Sequence, residues 1–114
     1  SYRDIDNTEQ LTNHFLSISK RLSWVFSPPE ELVNRIGFRM LRGSNVDDKS
    51  QALSFFILNT KNYPDSFNAF NSLGEAYGAL GNKEQAIKNY KKSLDLNNKN
   101  EHAKMKIDNL YKTD

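Results

Sequence analysis

The chain has 114 residues, enough for one small domain, and its 37% hydrophobic content includes no run of about 18 apolar residues that could span a bilayer. Sixteen basic and 14 acidic residues leave a net charge of +2, a mild excess that is typical of solvated helix faces and does not predict nucleic-acid binding. The absence of cysteine excludes a disulfide framework and a thiolate metal site.

Six helices are predicted from apolar periodicity and from start and stop signals. Side-chain acceptors followed three places later by Glu or Gln mark four starts, at Asn7, Ser27, Asp48 and Asn82. Pro28 and Pro29 strengthen the second start, because proline suits the first helical turn. Stops rich in Gly, Asn and Pro separate the segments, and none of them alternates as a strand does. The predicted helices span roughly residues 7–22, 28–43, 47–61, 66–80, 83–96 and 100–112.

The first predicted helix is amphipathic. Its apolar stripe consists of Leu11, Phe15, Ile18 and Leu22. An aromatic connector with Trp24 and Phe26 follows it. The stripe must be buried, and three arrangements remain open: packing on the next helices, packing on a domain outside this chain, or packing on a second copy in a homodimer.

The later helices contain an internal repeat. A shift of 34 places brings Ala52 onto Ala86 and Phe56 onto Tyr90, so the second helices of two successive units match well. We interpret these alanines and aromatic rings as core positions.

The first helices of the two units match less well. Gly74 lies in the middle of a helix, where Gly costs up to about 1 kcal/mol relative to Ala, so we expect a neighbouring helix to approach closely there. The same shift places Met40 on Gly74 and Gly43 on Tyr77. The sequence therefore predicts an earlier unit that is degenerate, with altered spacing between its helices.

The later unit resembles the tetratricopeptide repeat. Its matching residues are Phe70, Leu73, Gly74, Tyr77, Ala86, Tyr90 and Ser93. The resemblance implies an all-α helical repeat of about six helices, with repeats at residues 33–66 and 67–100 and a capping helix at 101–112. The repeats would form a domain over 28–114, preceded by an extra N-terminal helix and connector over 1–27.

The layout of the whole chain carries a second resemblance. From His14 onward it reads "HF..IS.RL.W.F.PPEE.VN.IGF.ML", followed by the repeats, and this is similar to the C-terminal extension of bacterial esterases of the α/β-hydrolase class. The resemblance implies that the chain is an accessory part of a serine hydrolase. Since Ser1 begins the chain without a signal-peptide pattern, we expect any targeting information to lie upstream, so a cytoplasmic and an exported location both stay open.

No catalytic constellation is recognisable in the sequence. A hydrolase of that class needs Gly-x-Ser-x-Gly with a histidine and an acid, and no such motif occurs. His14 and His102 are far apart and lack metal-ligand spacing, while Glu30 and Glu31 suit the start of a helix. We therefore expect no enzymatic activity in this chain, no cofactor and no metal.

Two functions remain. In the first, the chain is a scaffold whose first helices line a groove for a protein or peptide. In the second, it is a structural module that packs on its own catalytic domain, and the first helix could fill the groove itself. No membrane or nucleic-acid partner is expected. The predicted groove residues are Asn34, Phe38, Arg42, Asn68, Asn71, Ser72, Glu75, Lys106 and Asn109.

Overall fold

The computed structural model describes residues 7–22, 28–43 and 45–112. These residues form six helices and no strand, which confirms the predicted all-α helical repeat. The helices are α1 Thr8–Leu22, α2 Glu30–Leu41, α3 Val46–Asn62, α4 Phe67–Ala79, α5 Lys83–Leu96 and α6 Glu101–Lys112. α2 pairs with α3 and α4 with α5, while α6 packs on α5, so the hairpins are stacked and closed by a single helix.

Two of the predicted helix starts are capped as expected. The Asn7 side-chain oxygen accepts a hydrogen bond from the Gln10 N–H at 2.7 Å, and that of Asn82 accepts from the Gln85 N–H at 3.2 Å. Each bond satisfies an amide that has no partner within the helix.

The other two starts differ from the prediction. α3 is capped by Asn45, whose Oδ1 accepts from the Asp48 N–H at 2.8 Å, so Asp48 is not the cap. Asp48 lies in the first turn instead, where a negative charge favours the helix dipole. α2 begins at Glu30 with Pro29 as its N-cap, so the prolines precede the helix rather than forming its first turn. Ser27, the predicted cap, lies outside the described residues.

α1 covers the end of the first hairpin. Leu11 and Phe15 are buried against Val33, Ile36 and Phe55 of α2 and α3. Of the three arrangements left open by the sequence, the described part of the stripe therefore adopts the first, in which α1 packs on the next helices. Of the predicted apolar stripe and aromatic connector, four side chains lie outside the described residues: those of Ile18, Leu22, Trp24 and Phe26.

A glycine lies against an aromatic ring in each hairpin. A Cβ on Gly74 would lie 3.0 Å from three ring atoms of Tyr90, so α4 and α5 approach closely at this point, as expected. In the first hairpin Gly37 has the same role, since a Cβ there would lie 2.7 Å from Cζ of Phe56. The prediction that Met40 takes the glycine position was therefore wrong.

The predicted register of the first hairpin was wrong because α3 contains one additional helical turn. The first helices of the two hairpins align at a shift of 37 places, as Gly37 and Gly74 show, whereas the second helices align at 34. α3 has 17 residues and α5 has 14, and both end at equivalent positions, so α3 has three extra residues at its start. The first hairpin is thus a regular repeat whose second helix begins a turn early.

Hydrogen bonds between the helices follow the same register. The Asn59 Nδ2 donates to the carbonyl of Glu30 at 3.0 Å, and the Ser93 hydroxyl donates to the carbonyl of Phe67 at 2.8 Å. Glu30 and Phe67 are the first residues of α2 and α4. Each bond joins the end of a second helix to the start of its partner, so the two hairpins are built alike.

The glycine–aromatic contact can be tested with a matched pair of alanine substitutions. Gly37→Ala should lower the free energy of unfolding by about 1–3 kcal/mol, because the new methyl group collides with the fully buried Phe56 ring. Gly78, also helical, has no neighbouring atom within 4 Å of an added Cβ, so Gly78→Ala should raise stability by up to about 1 kcal/mol. Urea unfolding measures both, and equal effects would contradict the packing described.

Candidate binding site between the first helices of the repeats

A pocket of about 420 Å³ opens where α2, α4 and α6 lie side by side. We call it the central pocket. It is lined by Leu41, Glu75, Gly78, Ala79, Tyr90, Lys106, Asn109 and Leu110. Three of the predicted groove residues, Glu75, Lys106 and Asn109, are thus brought together here.

Gly78 and Tyr90 give the pocket its depth. The space above Gly78 is empty because this residue has no side chain and no other atom lies within 4 Å of its Cβ position. The Tyr90 ring is only 2% exposed. Burial, and to a lesser extent the negative charge of Glu75, raises the pKa of Tyr90 well above its ordinary value. The phenol therefore stays neutral and is a polar but uncharged part of the lining.

One side of the site is held by the amide of Asn100. Its Oδ1 accepts a hydrogen bond from the Ala103 N–H at 3.2 Å, which caps α6. This bond fixes the orientation of the amide, so Nδ2 is free to donate to the Ser93 hydroxyl at 2.9 Å and to the Asn71 Oδ1 at 3.3 Å. One side chain thus joins α4, α5 and α6.

His102 extends this network to the edge of the pocket. Its Nδ1 lies 3.2 Å from the Asn71 Oδ1, which is an acceptor, so Nδ1 carries a hydrogen. Its Nε2 lies 3.2 Å from the Glu75 Oε1. The imidazole of His102 is thus in contact with both Asn71 and Glu75 of α4. Because the His102 and Glu75 side chains are 39% and 29% exposed, the pair adds little stability.

None of the other six predicted residues lines the central pocket. Ser72 is buried, and the Phe38 ring packs edge-on against Phe56 with centroids 4.9 Å apart, so both contribute mainly to packing. Asn68 is exposed and Asn34 is half-buried. Under the 37-place shift Asn34, Phe38 and Arg42 are equivalent to Asn71, Glu75 and Ala79, which places them on the corresponding side of α2.

Four lining residues escaped the sequence prediction, which searched for polar side chains; they are Leu41, Gly78, Ala79 and Leu110. A fifth, Tyr90, was assigned to the core only. A second glycine in the same helix as Gly74, at a place where no packing requires it, was the signal that could have indicated the pocket.

The described part of the chain contains neither a metal-binding cluster nor a membrane span. No group of three or more His, Asp or Glu residues there is placed to hold a metal ion. None of the described helices combines the length and the apolar character needed to cross a membrane.

Comparison with known proteins agrees with the geometry. The class defined by the fold is an all-α helical repeat. Residues 67–100, which comprise α4, α5 and their flanking turns, match the tetratricopeptide repeat. The presence of this repeat supports the interpretation that the chain is a module for protein–protein interaction. No curated protein is significantly similar to the chain.

The role of Asn100 can be tested against a residue that only caps a helix. Asn100→Ala should lower the free energy of unfolding by about 2–3 kcal/mol, because it removes a cap and two interhelical hydrogen bonds. Asn82→Ala, which removes one cap bond, should cost about 1 kcal/mol. Urea unfolding gives both values, and hydrogen exchange of the Ile107 amide reports on α6. Equal costs for the two variants would show that the network adds nothing beyond capping.

Proposed function

We propose that the chain is a non-catalytic interaction module that binds a segment of another protein in the central pocket. The observation that carries this proposal is the pocket itself, which is open and is lined by the first helices α2 and α4 together with α6 and Tyr90 of α5. Tetratricopeptide repeats generally bind proteins or peptides, and the match at residues 67–100 includes α4, the helix in the middle of the pocket.

The glycine at the floor of the pocket supports a binding role. Gly37 and Gly74 each face an aromatic ring, so packing explains both. Gly78 faces open space, and a helical glycine there costs up to about 1 kcal/mol relative to alanine without any gain in packing. Keeping the pocket open for a partner accounts for that cost.

The position of α1 also supports a pocket that is available to a partner. Leu11 and Phe15 pack on α2 and α3, in a cluster that contains none of the pocket-lining residues. No described residue of α1 lines the central pocket. The sequence left open that α1 fills the groove itself. For the described residues, this alternative has less support than a pocket that is free to bind a partner.

Only the resemblance to the C-terminal extension of bacterial esterases indicates which protein the partner is. If the chain is the C-terminal part of a serine esterase, its own catalytic domain is the first candidate partner; the alternative is a free-standing scaffold for a peptide. The sequence upstream of Ser1 separates them, because Gly-x-Ser-x-Gly with a later histidine there would support the esterase. A homodimer through α1 is the third candidate, and a dimeric mass in sedimentation would support it.

The pocket can be filled without disturbing the core. Peptides of 12 residues, selected on the native chain from a random phage library, should lose at least about tenfold in affinity for Gly78→Leu, because the new side chain occupies the floor. The control is Lys88→Leu, which adds the same side chain to an exposed site on α5 and should leave affinity unchanged.

Isothermal titration calorimetry measures the affinities, and urea unfolding checks that both variants are folded. Peptides that bind Gly78→Leu as tightly as the native chain would place the site elsewhere. A library that yields no binder would contradict the proposal itself.

A further inference from the structure

The central pocket has a lysine at its edge whose charge is not matched. Lys106 lines the pocket and forms no ion pair with any described acid. The one carboxylate in the lining, that of Glu75, faces the imidazole of His102 at 3.2 Å. The carboxylate of Glu75 thus has a partner within the protein, whereas the ammonium group of Lys106 has no described acid beside it.

A second cation, Arg42, is the C-cap of α2 and lies next to the pocket lining in sequence, although it is not itself a lining residue. Arg42 follows Leu41, which lines the pocket, and it occupies the position on α2 that Ala79 occupies on α4. It is exposed and forms no ion pair with a described acid. Arg42 therefore follows the end of α2, whereas Lys106 lies within α6.

Part of the pocket is apolar and open. Leu41, Ala79 and Leu110 surround the empty space above Gly78. A volume of about 420 Å³ falls within the range of sites that enclose a ligand group, roughly 300–1,000 Å³. The size and lining suit an aliphatic side chain used as an anchor.

We propose that the central pocket binds an acidic segment of a partner protein, with an aliphatic side chain above Gly78 and side-chain carboxylates facing Arg42 and Lys106. This inference rests on the proposed function and adds the chemistry of the partner. Charge complementarity favours an acidic segment: a basic one would meet Lys106 in the lining and Arg42 beside it, and the carboxylate of Glu75 is in contact with His102. Asn109 adds an amide that donates to a carboxylate as well.

Two synthetic peptides test this chemistry directly. The acidic probe is fluorescein-labelled Gly-Ser-Asp-Leu-Asp-Leu-Asp-Ser-Gly, and in the basic probe lysine replaces each aspartate. Both probes have an amidated C-terminus, so that only side chains can supply a carboxylate. Fluorescence anisotropy should show that the acidic probe binds about tenfold or more tightly than the basic probe, with a preference that shrinks as NaCl rises.

Charge reversals locate the contact. Lys106→Glu and Arg42→Glu should each lower the affinity for the acidic probe by about fivefold or more, whereas Lys88→Glu, on the exposed surface of α5, should retain it. Circular dichroism and urea unfolding confirm that each variant is folded.

Three outcomes would overturn the inference, and they differ in what they say about the proposed function. If the basic probe binds as tightly and Gly78→Leu abolishes its binding, the pocket binds proteins but does not select acid. If the acidic probe binds equally well to both reversals and to Gly78→Leu, its binding is non-specific. If neither probe binds, the acidic preference fails, and the phage-selected peptides decide separately whether the pocket binds anything.

Discussion

The contact between a helical glycine and a buried aromatic ring sets the geometry of the whole stack. Gly37 against Phe56 and Gly74 against Tyr90 fix how closely the two helices of each hairpin approach. A methyl group at either glycine would force a ring that is almost fully buried to move. Tyr90 also packs with Ala103 and Ile107 of α6, so the spacing set inside one hairpin determines where the closing helix lies.

The position of α6 depends in turn on a polar network rather than on apolar area alone. Asn100 caps the helix and at the same time bonds to Ser93 and Asn71, so the start of α6 is tied to both helices of the preceding hairpin. Lys106 and Asn109 lie on the same rigid helix and line the central pocket. The positions of these two side chains in the pocket therefore depend on hydrogen bonds that Asn100 makes about two turns away along the chain.

The sequence predicted the helices well because their signals are local. Periodicity and caps such as Asn7 and Asn82 require no knowledge of tertiary contacts. The register of the first hairpin was missed because a single shift of 34 places was applied to both helices, whereas the dipeptide Ile36-Gly37, equivalent to Leu73-Gly74, needed a shift of 37. One helical turn added to α3 leaves each helix regular, so tertiary contacts reveal the change, namely the packing of Gly37 on Phe56 and the bond from Asn59 to Glu30.

The candidate site was predicted in part, for a physical reason that also bears on its function. Helical spacing identified Glu75, Lys106 and Asn109, because polar side chains on the non-core side of a first helix are visible in a sequence. The floor was not visible, since it consists of the missing side chain of Gly78. The lining of the central pocket comes from four helices, α2, α4, α5 and α6, and a ligand that contacts α6 together with the others would bind only the docked state of α6. Binding of such a ligand would stabilise the docked position of α6. Because coupling is reciprocal, this gain in free energy equals the gain in binding free energy that docking of α6 provides.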